Sequence, residues 1–429
     1  MNIKVSNGRV IDPATNLDQV TDLYIRAGEI YAIGEQPNDF DCHEVIDATG
    51  QIVCPGLIDL CAHLREPGET HKGSIASETA AAAAGGITTL ITPPTTRPIV
   101  DTPAVAELIQ DRAADAGFAR VMPMGALTQE LQGEQLAPLH ALASSGCIAF
   151  TNARLPIKST LNLLRCLEYA ATFDLLVVFQ AQDHSLSSNG CMHEGANSTR
   201  MGLSGIPEAA ETIEVSRCLL LVEQTGVRAH FGQLSCERSV QLITAAQQRG
   251  LKVTADVAAH HLILSDENVN EFDSSLHLQP PLRSALDRAG LIQGLLSSSV
   301  TAICSDHQPQ DLISKQAPFA QTAVGLSGLE TLLPICLSLV ERKLIELPQL
   351  ITKLTLGPAK ILGLDSGSLQ LGRPADICIF DSNESWTVNK KSLRSAGKNT
   401  PLNGKILKGC VTTTLLSGKV VYRNKAFHS

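Results

Sequence analysis

The sequence predicts an α/β chain: a closed (β/α)8 barrel of the TIM type with a small β-sandwich formed by both chain termini. Three observations carry that prediction. At 429 residues the chain exceeds what one core usually organises, unless that core is a large α/β barrel. Its middle holds eight apolar strand candidates, each followed by helix-forming sequence. Both ends share a different texture, short strand-like runs between turn residues.

Taken in order, the first runs are Ile3–Val5, Val10–Ile11, Asp22–Ile25 and Ile30–Ile33. Turn signals at Asn7-Gly8, Ala27-Gly28 and Ala48-Thr49-Gly50 separate them. Barrel strands are expected at Gly56–His63, Gly86–Thr92, Ala119–Gly125 and Gly146–Thr151, then at Leu175–Gln180, Val227–Gln233, Leu251–Val257 and Val300–Asp306. Helices are clearest at Thr102–Ala116, Lys158–Thr172, Pro207–Thr225 and Glu237–Arg249. Near-continuous apolar strands alternating with helices imply a parallel sheet covered on both faces, and eight repeats suit a closed barrel. Strand texture returns at Ala375–Phe380, Val411–Leu416 and Lys419–Tyr422. Termini commonly lie close together, so the two ends are expected to share one domain. The division is then 1–54 and 364–429 for the end domain and 55–363 for the barrel.

Hydrophobic residues at 44% and charged residues at 18% provide for a large buried core. Lys and Arg number 34 against 43 Asp and Glu, a net charge of −9. With no basic tract, this excludes nucleic acid or an anionic membrane as the main partner. No apolar run reaches the roughly 18 residues that span a bilayer, and the first residues lack the charged-then-apolar pattern of a secretory signal. Twelve cysteines are scattered from Cys42 to Cys410 without a C-x-x-C pair. Reduced, mostly buried thiols in a cytoplasmic protein are expected.

A barrel of this kind places its chemistry at the C-terminal ends of the strands. The first strand brings Cys61, His63 and Arg65 there, and the fourth brings Asn152, Ala153 and Arg154. The fifth, sixth and eighth bring Gln180, Gln233 and Asp306. Cys61 and His63, two apart on a strand, point the same way. With Asp306 they would supply the three protein donors of a catalytic zinc. Neutral carboxamides such as Asn152, Gln180 and Gln233 are poor zinc donors, which favours an unmetallated polar pocket. His260-His261 reads as packing or capping, because adjacent side chains seldom share a target. Asp183-His184 reads as loop polarity and Lys158 as a surface lysine. Gly202-Leu-Ser204-Gly205 and Gly325-Leu-Ser327-Gly328 both miss the spacing of a nucleophile elbow.

Longer motifs carry a family resemblance. Asp59-Leu-Cys61-Ala-His63-Leu-Arg65-Glu66-Pro67-Gly68 resembles the D-x-H-x-H-x-R-E-P-G of dihydroorotases, members of the cyclic amidohydrolase superfamily. Gly85-Gly86-Ile-Thr88-Thr89 with Pro93-Pro94-Thr95-Thr96 resembles that family's G-G-x-T-T and M-P-N-T. His193-Glu194-Gly195, Pro280-Pro281-Leu282-Arg283 and Gly372-Arg-Pro374-Ala-Asp376 add to it. The resemblance implies the metal-dependent amidohydrolase barrel, but the metal positions depart from its pattern. Cys61 stands for one of two strand-one histidines, and His63 is the other. Asn152 and Ala153 stand where a bridging lysine or aspartate belongs, and Gln180 and Gln233 where histidines belong; Asp306 alone is retained on the last strand. Of the substrate contacts, Arg65 is kept, while Thr95, Gln279 and Gln310 replace two asparagines and a histidine.

One branch of the family shares these features. The dihydroorotase-like noncatalytic subunit of bacterial aspartate carbamoyltransferase is similar in its helix Ala106–Arg112 and in the tracts Gly125–Thr128, Leu219–His230 and Val253–Val257. That resemblance implies a pseudoenzyme of pyrimidine biosynthesis with no catalytic residue and no metal. Its expected partner is the catalytic chain of aspartate carbamoyltransferase, in a homo-oligomer or hetero-oligomer. The alternative is an active zinc-dependent dihydroorotase or related cyclic amidohydrolase using Cys61, His63 and Asp306. A third reading is a dicarboxylate-sensing pocket around Arg65.

Overall fold

A computed structural model describes residues 2–424 and contains two eight-stranded sheets. The first begins with β1 (Asn2–Asp12), β2 (Leu17–Arg26), β3 (Glu29–Ile33), β4 (Glu44–Asp47) and β5 (Ile52–Pro55). β1 runs straight through Asn7-Gly8, where a turn was expected. Asn7 adopts φ 62° and the register with β2 shifts between Val5 and Gly8, so this dipeptide forms a bulge. The Asn7 N–H donates to Asp22 Oδ1 at 3.0 Å, which holds the bulge in place.

The second sheet is the barrel. Its strands are β6 (Leu57–Asp59), β7 (Ile87–Thr92), β8 (Arg120–Ala126), β9 (Ala149–Thr151) and β10 (Leu176–Phe179). A small parallel pair, β11 (Met192–His193) and β12 (Gly205–Ile206), lies outside it. β13 (Arg228–Phe231), β14 (Val253–Ala258) and β15 (Ala302–Cys304) complete the barrel. Every neighbouring pair is parallel, in the order β6-β7-β8-β9-β10-β13-β14-β15. Closure falls just past the last strand, where Ala62 bridges His307. The His63 N–H donates to His307 O at 2.8 Å, and the His307 N–H to Cys61 O at 3.2 Å. All eight expected barrel strands are present. β6 and β15 stop short of His63 and Asp306 because the chain beyond them bonds across this seam.

Helices Pro103–Ala116, Thr160–Thr172, Ala209–Thr225 and Glu237–Gln248 cover the outside, close to their expected bounds. Their buried faces join the strands in one large core, while Ile58, Ile91, Met124, Val178, Ala302 and Cys304 pack within another cluster. β16 (Ile377–Thr387), β17 (Ile406–Leu416) and β18 (Lys419–Arg423) return to the first sheet. Its order is β18-β17-β16-β5-β1-β2-β3, with β4 on β1. β5 is therefore flanked by β1, from the start of the chain, and by β16, from its end; Cys54 lies directly opposite Cys378. Ile3, Val10, Ile25, Val53, Ile377 and Leu415 give this sheet its own core. All twelve cysteines are free and ten are buried. Among the described residues no helix is long and apolar enough to cross a membrane.

Candidate functional site at the barrel mouth

Beneath the mouth lies a layer of buried polar groups that are fully used. Asp59 at the end of β6 accepts from the Ser305 backbone N–H at 2.8 Å and from the Ser305 hydroxyl, tying the first barrel strand to the last. Burial pushes this carboxyl up to about 6 despite those bonds. His307 Nδ1 accepts from the Gly328 N–H at 3.1 Å, which leaves its proton on Nε2, 2.9 Å from Glu78 Oε2. Both side chains are fully buried. The other Glu78 oxygen accepts from the Ser77 hydroxyl at 2.7 Å and the Ala396 N–H at 3.0 Å. Burial is the largest influence on the Glu78 carboxyl and pushes it up, but the hydrogen bond and charge of His307 together with the hydroxyl bonds outweigh it, and the net displacement is downward. On the far side Asp256 joins His230 Nε2 at 2.8 Å and accepts from the Gln233 N–H at 2.8 Å.

Above this layer the expected metal positions meet, and they hold one another. Cys61 Sγ is 3.7 Å from Asp306 Oδ1 and 3.6 Å from the Gln180 amide nitrogen. That amide donates to Gln233 Oε1 at 2.5 Å. The Gln233 amide faces Asp256 at 3.5 Å and Cys304 Sγ at 3.8 Å. Asp306 also accepts from the Gln308 amide at 3.1 Å, and His63 Nδ1 lies 3.2 Å from the Thr95 hydroxyl. Four site residues, Arg65, Ala153, Gln233 and Asp306, adopt left-handed φ angles of 63°, 50°, 52° and 45°. A non-glycine residue there is strained and needs surrounding structure to hold it.

The electrostatics follow from desolvation. Burial drives the Cys61 and Cys304 thiols well above their ordinary range, and nearby carboxylates add to it. Burial, with the positive charges of Arg65 and Arg154, drives His63 well below its usual value. Burial raises Asp306 to about 6, offset in part by the charge of Arg154. These donors do not fit a cation centre. Two of them are neutral amides, poor donors to a cation and occupied with each other, and among the described residues no group of three or more His, Cys, Asp or Glu is placed to hold a metal ion.

Two expected metal positions lie off this layer. Asn152 accepts from the Thr128 hydroxyl at 2.7 Å and donates to Leu131 O at 3.1 Å and Leu155 O at 3.0 Å, so it fastens neighbouring loops. Ala153 brings no donor atom. Among the substrate positions, Arg65 donates to Pro309 O at 3.0 Å and Glu69 at 3.2 Å, leaving its buried Nη2 without a partner. Gln279 donates to Gln182 at 2.8 Å. Gln310 donates to Val324 O at 2.9 Å, and its Oε1 is buried and unpartnered.

His260 and His261 are buried as expected, but their rings lie 4.5 Å apart, because the short 3-10 helix Ala259–Leu262 brings adjacent side chains together. Asp183 has a definite task, capping the helix His184–Ser187 through the Ser185 and Leu186 N–H groups. Lys158 is exposed, as expected. Sequence reasoning missed Glu78 and Asn399. The Asn399 amide donates to Gln308 O and Gly325 O, both at 2.9 Å, and its oxygen accepts from the Gln310 N–H at 2.9 Å. It pins the loop after β15 from a distant part of the chain, and no local pattern announces it.

Comparison with known proteins places this geometry. The family model described as Dihydro-orotase-like matches residues 50–239, and an Amidohydrolase family model matches residues 287–422. A "Dihydroorotase-like protein" of Pseudomonas putida is 51% identical over 422 residues, covering 98% of this chain and 99% of that one. A "Dihydroorotase-like protein" of Pseudomonas aeruginosa is 50% identical over the same length, covering 98% of this chain and 100% of that one. A "Dihydroorotase" of Anaeromyxobacter sp. (strain K) is 40% identical over 420 residues and 97% of each chain. In fold, the chain is similar to the L-hydantoinase (dihydropyrimidinase) of Arthrobacter aurescens, with a TM-score of 0.88 at 23% identity over 98% of this chain and 96% of that one. The barrel, its terminal sheet and these full-length relatives agree: the chain belongs to the dihydroorotase-like family of amidohydrolases.

Proposed function

We propose that this protein is a dihydroorotase-like pseudoenzyme of the cytoplasm. It serves as the noncatalytic structural and assembly subunit of an aspartate carbamoyltransferase in pyrimidine (UMP) biosynthesis. The observation that carries this reading is the amide–thiol layer, in which Gln180 joins Gln233 at 2.5 Å and Cys61 at 3.6 Å where metal donors would stand. Opening a cyclic amide in this family relies on a Lewis acid to generate hydroxide and to stabilise the developing oxyanion. Neutral amides and a buried thiol supply neither service. The partner is the aspartate carbamoyltransferase catalytic chain, in a hetero-oligomer; the net charge of −9 fits a protein partner better than nucleic acid or membrane.

The test is purification with zinc supplied, followed by metal analysis and a dihydroorotate hydrolysis assay. Turnover below detection is expected, whereas stoichiometric zinc with turnover above about 1 s⁻¹ rejects the reading. Co-expression with aspartate carbamoyltransferase, followed by size determination and transcarbamoylase assay, tests the assembly role; failure to co-purify removes it. The relatives named "Dihydroorotase" at 40% identity favour the second reading, a zinc enzyme using Cys61, His63 and Asp306. In that case alkylation of Cys61 abolishes activity and releases the metal.

A further inference from the structure

Arg154 enters the mouth in an unusual way. The left-handed turn at Ala153 (φ 50°) carries the chain off β9, and the half-buried Arg154 side chain reaches Gln233 Oε1 with Nη2 at 3.5 Å. The same oxygen accepts from Gln180, so the guanidinium abuts the layer that runs from Cys61 to Asp256. Among the described residues Arg154 has no carboxylate within ion-pair distance, whereas Arg217 and Arg120 are paired at 2.8 and 2.9 Å. Its charge is felt across the mouth instead. It supplies the leading favourable influence on the Asp306 carboxylate and also acts on Cys61, His63 and His260.

We propose that Arg154 is the internal cation of this mouth, balancing Asp306 in place of a metal ion and excluding divalent ions from the space beside it. This rests on the metal-free reading of the donor set given above. A guanidinium cannot shed its proton inside a protein, so the charge is permanent. A divalent ion entering within several ångströms meets a fixed like charge in a medium far less screening than water. The planar group also fits an amide oxygen, which an imidazole in the Gln233 position would not present. Restoring histidines alone is then insufficient to rebuild a metal site.

The experiment uses the full chain carrying Cys61→His, Gln180→His and Gln233→His, combined with native Arg154, Arg154→Met or Arg154→Lys. Cobalt(II) is the probe, because its visible absorption reports coordination directly. With Arg154 or lysine, weak binding is expected; with methionine, affinity rises about a hundredfold and a ligand-field band appears. Equal affinity in all three variants overturns the proposal. Should the triple substitution not fold, a thermal double-mutant cycle in the otherwise native chain decides the question. There Arg154→Met is expected to lower Tm and Asp306→Asn to abolish that loss, while additive effects overturn the assignment. Zinc bound by the native chain with turnover counts against the noncatalytic reading, so the two failures are distinguishable.

Discussion

The layer under the mouth and the layer at the mouth are both buried and polar, yet they are built on opposite principles. Below, carboxylates are kept and each is paired: Glu78 with His307, Asp256 with His230, Asp59 with Ser305. Above, where a hydrolase of this superfamily needs imidazoles, the side chains are amides and a thiol bonded to one another. The lower layer closes the barrel, and its loss would cost the fold. The upper one joins side chains at the ends of β6, β10 and β13 to one another through amide and thiol contacts. The comparison teaches that a buried charge persists in this chain where it fastens structure.

The largest effect is expected from breaking the lower layer. Glu78→Ala leaves the fully buried His307 Nε2 without a partner and removes the acceptor of the Ala396 N–H, and should cost about 3–5 kcal/mol in chemical denaturation. A loss below about 1 kcal/mol would place Glu78 with the dispensable groups. Next comes Asp306, the one carboxylate that belongs to the upper layer. Its folded value of about 6 lies above the ordinary 3.8, so its contribution is most favourable when protonated, is complete below pH 4, and is lost as pH rises through 6. Asp306→Asn should therefore stabilise the chain by about 2–3 kcal/mol at pH 8, with the advantage gone at pH 4. Tm measured across that range checks the sign, and a destabilised variant at pH 8 would move Asp306 to the lower class.

How much of this was legible in the sequence differs between the same two layers. Eight strands, the main helices and the identities at Cys61, Gln180 and Gln233 could be read directly, because apolar periodicity and motif spacing are local properties. The pairs that hold the barrel could not. Glu78 looks like one more charge in an alanine-rich helix, and its partner His307 stands in a different motif far along the chain. Asn152 looked like a metal position because it occupies the right place in the motif, but the adjoining loops claim its amide. Asn7-Gly8 carried a turn signal that the long pairing of β1 and β2 converted into a bulge.

Two smaller effects sharpen the contrast. Asn399→Ala should cost about 1–3 kcal/mol and raise hydrogen exchange at Gln310, because its side-chain bonds to Gln308, Gln310, Gly325 and Ser327 disappear. Unchanged exchange would show that the loop holds itself. Cys61→Ala, which removes a weak hydrogen-bonding thiol, should cost only about 1 kcal/mol by thermal denaturation. A much larger loss would mean that the upper layer is structural after all.

The placement of β5 between β1 and β16 has a consequence for synthesis. β1 and β5 leave the ribosome before the barrel, yet one edge of β5 stays without a neighbour until β16, on the far side of the barrel, has emerged. Any product that terminates inside the barrel carries that open ladder of amides and carbonyls, a template for pairing with another chain.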